Sequence, residues 1–153
     1  MSWTSFKSFS PSSTSKDMFE KILKRRGKFL TRLNLKSYTM AIKDYEIILS
    51  IIANECTNLE HIDLGDYSIS KKVVKLFQPN FEKVKVFKCK AHGLNNNDLN
   101  TLLLRNKKLQ HFQIDASNSW SLNGNLVQAL SQETLTYLEL CQVHMNGMNF
   151  INH

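Results

Sequence analysis

The sequence is poor in the residues that interrupt regular structure, with two prolines and five glycines among 153 residues. Such low counts exclude a collagen, a proline-rich linker and a β-protein built on many tight turns. No apolar run approaches the ~18 residues of a membrane span, and the start lacks the apolar core of a secretory signal. We therefore expect one domain with no membrane partner.

Cysteine is also scarce. The three cysteines, Cys56, Cys89 and Cys141, are an odd number and form no CxxC pair. This pattern favours a reducing compartment over a disulfide framework. We expect a cytoplasmic or nuclear location. The Ser-rich, acid-free residues 1–16 resemble a mitochondrial presequence only faintly, which makes the mitochondrion the weaker alternative.

Motifs that carry chemistry are missing as well. The sequence has no GxSxG, P-loop or GxGxxG segment, and no HxxxH or HExxH pair of histidines. His61, His111 and His144 are widely separated, and each is expected to be a surface or strand residue. We therefore predict no enzymatic activity, no cofactor and no metal site.

The net charge of +7 belongs to one end of the chain. Residues 1–43 hold ten Lys or Arg against two Asp or Glu, whereas residues 44–153 hold ten against eleven. The excess serves either solubility and the dipole of a helix, or a functional basic surface. RNA binding through Lys21–Lys36 is a third hypothesis, but aromatic residues are not interleaved with this run, so nucleic acid is an unexpected partner.

What the sequence does contain is an internal repeat. Five segments share three apolar residues in the order apolar-x-x-apolar-x-apolar, namely Leu30/Leu33/Leu35, Leu59/Ile62/Leu64, Phe81/Val84/Val86, Leu109/Phe112/Ile114 and Leu135/Leu138/Leu140. The central residues are 29, 22, 28 and 26 positions apart, close to the ~20–29 residues of leucine-rich repeats. Apolar residues two apart point to the same side of a strand, so each segment predicts a short strand over a core.

Between these strands the apolar period changes from two to 3.6, which predicts helices and an α/β fold with parallel strands. Asp17, Asp44, Asn97 or Asp98, and Asn125 are the expected helix N-caps. We expect a flexible arm over residues 1–16, anchored at most by Trp3, Phe6 and Phe9. After this arm we expect an N-terminal helix over 17–28 and about five repeats over 29–153.

Two stretches carry a resemblance to a known family. They are Gly93–Leu103 with Lys108–Ile114, and Cys56–Leu64. Both resemble the cysteine-containing class of leucine-rich repeat that is typical of F-box proteins, with Cys56 where this class ends its helix and Cys89 at its second cysteine position. Residues 19–35 resemble the passage from an F-box into its first repeat, although no F-box precedes them.

The resemblance implies a right-handed β-α solenoid with short parallel strands on the concave face and helices on the convex face. It also implies a protein-interaction module, the substrate-recognition region of an F-box-type cullin-RING ubiquitin ligase in ubiquitin-dependent protein degradation. Docking to the ligase adaptor would require an F-box outside this chain, so we expect a partial product or a short family member. The alternative is a stand-alone repeat scaffold or assembly factor without ligase function.

The outward positions of the five strands predict a concave surface that binds a client protein. They are Arg32, Asn34, Lys36, His61, Asp63, Lys83, Lys85, Phe87, His111, Gln113, Asp115, Tyr137, Glu139 and Cys141. Phe87 and Tyr137 are its expected aromatic anchors. Residues 44–66 hold six acids and no Lys or Arg, whereas residues 71–90 hold seven Lys and one Glu. This contrast either steers a partner or holds adjacent repeats together.

Overall fold

The structure is a computed structural model that describes residues 7–11, 13–118, 122–130 and 133–143. Strands alternate with helices along these residues. The strands are β1 (Ser8–Phe9), β2 (Arg32–Asn34), β3 (His61–Ile69), β4 (Val86–His92), β5 (His111–Asn118) and β6 (Tyr137–Cys141). The α-helices are α1 (Lys16–Arg26), α2 (Ile42–Glu55), α3 (Lys71–Phe77) and α4 (Asn96–Leu103), and 3₁₀ turns cover Gly27–Phe29, Gln78–Lys83 and Gly124–Ala129.

The six strands form one parallel sheet in the order β1-β2-β3-β4-β5-β6. Each strand therefore lies beside the strands that precede and follow it in the chain. Parallel neighbours need a crossover connection, and here helices or 3₁₀ turns make it. The predicted α/β class with parallel strands is confirmed.

The same backbone junction recurs wherever one strand meets the next. Just before each strand, one carbonyl oxygen accepts two hydrogen bonds, at 2.7–3.0 Å, from consecutive N–H groups of the following unit. The acceptors are Lys7, Thr31, Glu60, Lys85 and Gln110. We call the chain from one such acceptor to the next a unit. The same pair of backbone hydrogen bonds therefore joins each unit to the next, although the acceptor residues differ in their side chains.

Four of the predicted helices form as α-helices, and the one predicted to start at Asn125 is the 3₁₀ turn Gly124–Ala129. The predicted N-caps were wrong. Ser15, Ser70, Asn95 and Asn123 are the residues whose side chains accept a hydrogen bond from the first turn. Asp17 and Asp44 lie inside the first turn instead, and Asp98 completes a capping box with Asn95. A cap needs an extended backbone just before the helix, and the acids then interact with the helix dipole from within it.

The core lies between one side of the sheet and the helices. It joins the buried residues of β2 to β5 and the apolar faces of the helices in a single cluster. Phe87 is at its centre, edge-on to Phe81 at 5.0 Å and stacked on Phe112 at 6.3 Å between ring centroids. Such aromatic pairs add ~0.5–1.5 kcal/mol each to the burial of their surface.

Cys56 and Cys89 are buried free thiols, as predicted for core positions. Cys56 is the C-cap residue of α2, and its backbone N–H donates to the Ile52 carbonyl. Burial raises the pKa of Cys56 to about 12 and also raises the pKa of Cys89. Both thiols therefore stay protonated and act as small apolar side chains.

One equivalent position is occupied by a different residue in each of four successive units. Gly27, Cys56, Phe81 and Asn106 lie three residues before Leu30, Leu59, Val84 and Leu109 respectively. Gly27 has no side chain here because a Cβ would lie 2.9 Å from both Cys56 Sγ and the Glu55 carbonyl oxygen. This position therefore brings consecutive units into direct contact.

Asn106 is the one buried polar side chain among the residues that the structure describes, and it is 1% exposed. Its Nδ2 donates to the Phe81 and Val84 carbonyls, both at 2.8 Å, and its Oδ1 accepts from Lys108 N–H at 2.8 Å. The two bonds to Phe81 and Val84 join neighbouring units, and the bond from Lys108 is a local turn within one unit. A buried amide is tolerated here because its bonding capacity is used.

Part of the expected flexible arm is ordered. Ser8 and Phe9 pair with Arg32 and Leu33, and Pro11 is buried. Phe9 packs on Phe19 of α1 at 5.5 Å between ring centroids, which makes it the predicted anchor. The other two expected anchors, Trp3 and Phe6, lie outside the described residues. No helix in the described ranges is both long and apolar enough to span a membrane.

Candidate binding surface on the sheet

The side of the sheet that faces away from the helices carries mostly polar residues. Its rows run across the strands and follow the register of the sheet. The first row is Arg32, His61, Val86, His111 and Tyr137; the second is Asn34, Asp63, Lys88, Gln113 and Glu139; and the third contains Lys90, Asp115 and Cys141. We call these residues the polar face.

The predicted outward position of Phe87 was wrong. Phe87 is 1% exposed and pairs in the sheet with Ile62 and Phe112, both core residues. The third repeat is therefore Val84/Phe87/Cys89, three residues later than the predicted segment. The reason is packing, since Phe87 fills the core between two other phenylalanine rings, and Val86 takes the outward position.

The same shift relocates two lysines. Lys83 ends the 3₁₀ turn before β4, and Lys85 supplies the junction carbonyl, so both lie at the edge of the sheet where the strands begin. The predicted placement of Lys83 and Lys85 on the polar face was therefore wrong. Val86, Lys88 and Lys90 occupy the β4 positions instead, and the sequence prediction missed all three.

The regular spacing of the units contains the signal that would have found them. With Phe87 as the central residue, the central residues fall at 33, 62, 87, 112 and 138, or 29, 25, 25 and 26 apart. The spacings of 22 and 28 around the predicted third segment were the uneven ones. An even period therefore decides the register where the apolar pattern fits twice.

The other predicted positions match the register. Arg32, Asn34, His61, Asp63, His111, Gln113, Asp115, Tyr137, Glu139 and Cys141 lie on the polar face. Lys36 lies just beyond β2, and its backbone N–H donates to Asn34 Oδ1 at 2.8 Å. Gly65, at φ 59°, lies against it, because a Cβ at Gly65 would come within 2.6 Å of Lys36 Cα.

A cleft of about 320 Å³ runs across the polar face near the ends of the strands. Acids and bases alternate along its wall, with Lys36, Asp63, Asp66, Lys88, Lys90 and Asp115 among the lining residues. Lys90 and Asp66 pair at 2.9 Å, and this hydrogen bond raises the pKa of Lys90. No carboxylate of the described residues forms an ion pair with Lys88. The cleft therefore offers a cation beside several hydrogen-bond acceptors.

Three side chains of β6 form a hydrogen-bonded group at one end of the polar face. Glu139 accepts from the Tyr137 hydroxyl at 2.7 Å and from Cys141 Sγ at 3.2 Å. These bonds lower the pKa of Glu139, and they raise the pKa of Tyr137 and of Cys141. The Cys141 thiol is held protonated, which makes it a poor nucleophile.

The two histidines of the first row are neutral at pH 7. Burial, with nearby positive charge, lowers the pKa of both His61 and His111. The His111 ring also contacts the Tyr137 ring, with centroids 4.1 Å apart and the planes tilted by 31°. Tyr137 is 46% exposed, so this ring pair presents an aromatic surface at the end of the row.

Opposite charges hold neighbouring units together, which was one of the two predicted roles of the charge contrast. Lys72 lies 3.5 Å from Glu46, Lys85 lies 2.7 Å from Glu60, and Lys90 pairs with Asp66. Each of these pairs joins the basic segment 71–90 to the acidic segment 44–66. The other predicted role, steering a partner, stays a prediction.

A second cavity, of about 340 Å³, lies at the edge of the sheet where the strands end. Its apolar wall contains Met40, Ile42 and the ring pair Tyr45–Tyr67, whose centroids are 5.6 Å apart. The Tyr67 hydroxyl donates to the Tyr38 carbonyl at 2.7 Å and accepts from Met40 N–H at 2.9 Å. The hydroxyl thus joins β3 to the loop between β2 and α2.

Across the described ranges, no group of three or more His, Cys, Asp or Glu side chains is arranged to hold a metal ion. What the polar face offers is charge, hydrogen-bonding groups and one aromatic surface on a rigid sheet. Such an arrangement is suited to binding. A scan against protein-family models and a search of curated proteins found no match to this chain.

Proposed function

We propose that the chain is a leucine-rich-repeat solenoid that binds a client protein on its polar face. The observation that supports this most strongly is the recurring backbone junction, together with strands that follow one another in chain order. Units of about 25 residues that contact only their neighbours are the signature of repeat proteins. Curvature of the stack would make the polar face concave.

The dimensions of the polar face support a protein or peptide ligand. Strands lie ~4.8 Å apart, so a row of five spans ~20 Å, the width of a small epitope. Its rigid backbone limits the entropy lost on binding. Lys88 in the second row and the ring pair of His111 and Tyr137 in the first are the groups best suited to anchor a client.

We also propose that this client is a ubiquitylation substrate. The support is Cys56, which ends α2 at the position where a cysteine ends the helix in F-box proteins with leucine-rich repeats. The expected second-cysteine position of Cys89 was wrong, because the register makes Cys89 the third apolar residue of its repeat, paired with Ile114. The chain would contribute positioning only. It would hold the client on the curved sheet while other subunits of a cullin-RING ligase transfer ubiquitin.

Site-specific photo-crosslinking tests the binding surface. A benzophenone amino acid at position 88 or 137 should capture the client in cells, whereas the same probe at the exposed Lys75 of α3 should not. Lys88→Glu should reduce capture at position 137, because it reverses a cation of the cleft that no described carboxylate pairs with. Capture from position 75 alone would contradict binding on the polar face.

Co-purification tests the link to a ligase. The tagged chain, and a form extended by any F-box encoded upstream, should recover a cullin and its adaptor together with the client. Recovery of the client without ligase subunits from both forms would refute this role. It would favour the stand-alone scaffold and leave the binding surface intact.

A further inference from the structure

A second charged surface lies at the edge of the sheet where the strands begin. An open cleft of about 700 Å³ runs along it, across the starts of four consecutive units. Its lining residues are Lys28, Phe29, Thr31, Asn58, Glu60, Lys83, Lys85 and Lys108. We call Lys28, Lys83, Lys85 and Lys108 the lysine edge. Because the lysine edge is separate from the polar face, a ligand could bind it whether or not the polar face holds a client.

Two of these lysines are fixed in place by the neighbouring unit. Lys83 Nζ donates to the Thr57 carbonyl at 3.1 Å and to Asn58 Oδ1 at 3.0 Å. Lys85 Nζ lies 2.7 Å from Glu60, whose pKa the ammonium lowers. Since each lysine reaches across a unit junction, the lysine edge is a defined arrangement of cations.

Like Lys83, the other two lysines form no ion pair with a described carboxylate. In the ranges that the structure describes, no carboxylate forms an ion pair with Lys28 or Lys108. Lys28 Nζ lies 5.1 Å from the ring centroid of Phe29, which is itself 45% exposed. Four ammonium groups therefore face one carboxylate, Glu60, beside an exposed aromatic ring.

We propose that the lysine edge binds an acidic segment of a protein partner. Lys28 precedes β2 and Lys108 precedes β5, so three strand spacings of ~4.8 Å, roughly 14 Å, separate their units. An extended peptide covers this length with about four or five residues at ~3.3 Å each. Carboxylates of such a segment would pair with Lys28 and Lys108, and an apolar side chain would contact Phe29.

The surroundings of the lysine edge favour a peptide over a single-stranded nucleic acid. Non-specific binding of single strands relies on aromatic side chains that stack successive bases. Among the described residues, Phe29 is the one aromatic side chain that lines this cleft. Glu60 at its centre would repel a continuous phosphate backbone, whereas a peptide with separated carboxylates leaves room for it.

Fluorescence anisotropy with the full chain tests the proposal. The probe is a fluorescein-labelled decapeptide that contains spaced Glu residues and one Leu. The double variant Lys28→Glu/Lys108→Glu should bind it about tenfold more weakly or worse, because both unpaired cations are reversed. Binding by the unaltered chain should weaken as salt is added.

The control variant is Lys21→Glu/Lys43→Glu, which changes the net charge equally at exposed positions of α1 and α2. It should bind the probe as the unaltered chain does. Equal loss in both variants, or loss in neither, would overturn the proposal, because bulk charge or another surface would then explain binding. Tighter binding of an oligouridine of equal length, sensitive to the same lysine-edge variant, would overturn it in favour of nucleic acid.

Discussion

Replacing Phe87 tests the register of the third unit and, with it, the composition of the polar face. Phe87→Ala removes a fully buried ring from between Phe81 and Phe112. Substitutions of this kind cost ~3–5 kcal/mol through lost burial and the cavity left behind. Val86→Ala, one residue earlier on the half-buried outward side, should cost below about 1 kcal/mol.

Urea unfolding followed by far-ultraviolet circular dichroism measures both costs. For a chain of this size a loss of ~3–5 kcal/mol lowers the midpoint of thermal unfolding by about 10 °C. If Phe87→Ala does not fold, Phe87→Leu keeps most of the volume and should still lose ~1 kcal/mol. Val86→Ala remains the matched control in either case.

The result that would refute this reasoning is a larger loss for Val86→Ala than for Phe87→Ala. Val86 would then point into the core, as the apolar pattern of the predicted third segment suggests. Lys88 would in that case leave the polar face, and a crosslinker at position 88 would no longer report on that face.

Three further predictions concern other parts of the fold. Asn106→Asp should lower the free energy of unfolding in urea by ~2–5 kcal/mol, because a carboxylate cannot donate to the two buried carbonyls. The control Asn97→Asp, at the exposed start of α4, should be near neutral. Equal losses for the two variants would contradict the role of Asn106 at the junction. Gly27→Ala should lower the thermal midpoint, because its Cβ would clash with Cys56 Sγ, and an unchanged midpoint would mean that the units can move apart. The pKa of His111 is below 6.5 in the folded state, so the unfolded chain binds a proton at this residue first and stability falls as the pH drops through and below 6.5. His111→Gln should make this fall smaller. An identical pH profile for the variant would exclude a contribution of His111 to the pH dependence.

The sequence predicted the class of the fold because its apolar residues repeat. The inward positions Leu33, Ile62 and Phe112 were placed correctly from spacing alone. The third segment failed because two overlapping patterns, Phe81/Val84/Val86 and Val84/Phe87/Cys89, satisfy the same rule. The choice between them depends on packing against adjacent strands, which a local pattern does not contain.

The additional strand β1 was missed for a related reason. Phe9 pairs with Leu33, and the buried Pro11 follows Phe9 by two residues, as Leu35 follows Leu33. The high serine content of residues 1–16 led to the prediction of a flexible arm. The sequence pattern of Phe6, Phe9 and Pro11, which has the spacing of the five segments, was given less weight than this composition. Phe6, three residues before Phe9, completes the pattern in the sequence.

The lysine edge was beyond prediction for a different reason. Its cations come from segments that are distant along the chain, and their convergence depends on the register. Because Lys83 and Lys85 lie at the edge of the sheet and not on the polar face, they line the same cleft as Lys28 and Lys108. A single error in the register of one strand thus concealed one surface and misassigned part of another.

The neighbour-only stacking of the units has a mechanical consequence. The main side-by-side contacts join consecutive strands and consecutive helices, so no long-range clamp ties the first described unit to the last. Tension applied along the stack would act on one backbone junction at a time, so the junctions would break one after another. Each released unit of about 25 residues would lengthen the chain by roughly 85 Å at ~3.4 Å per residue. The molecule would therefore extend in successive steps at low force, yielding gradually under load.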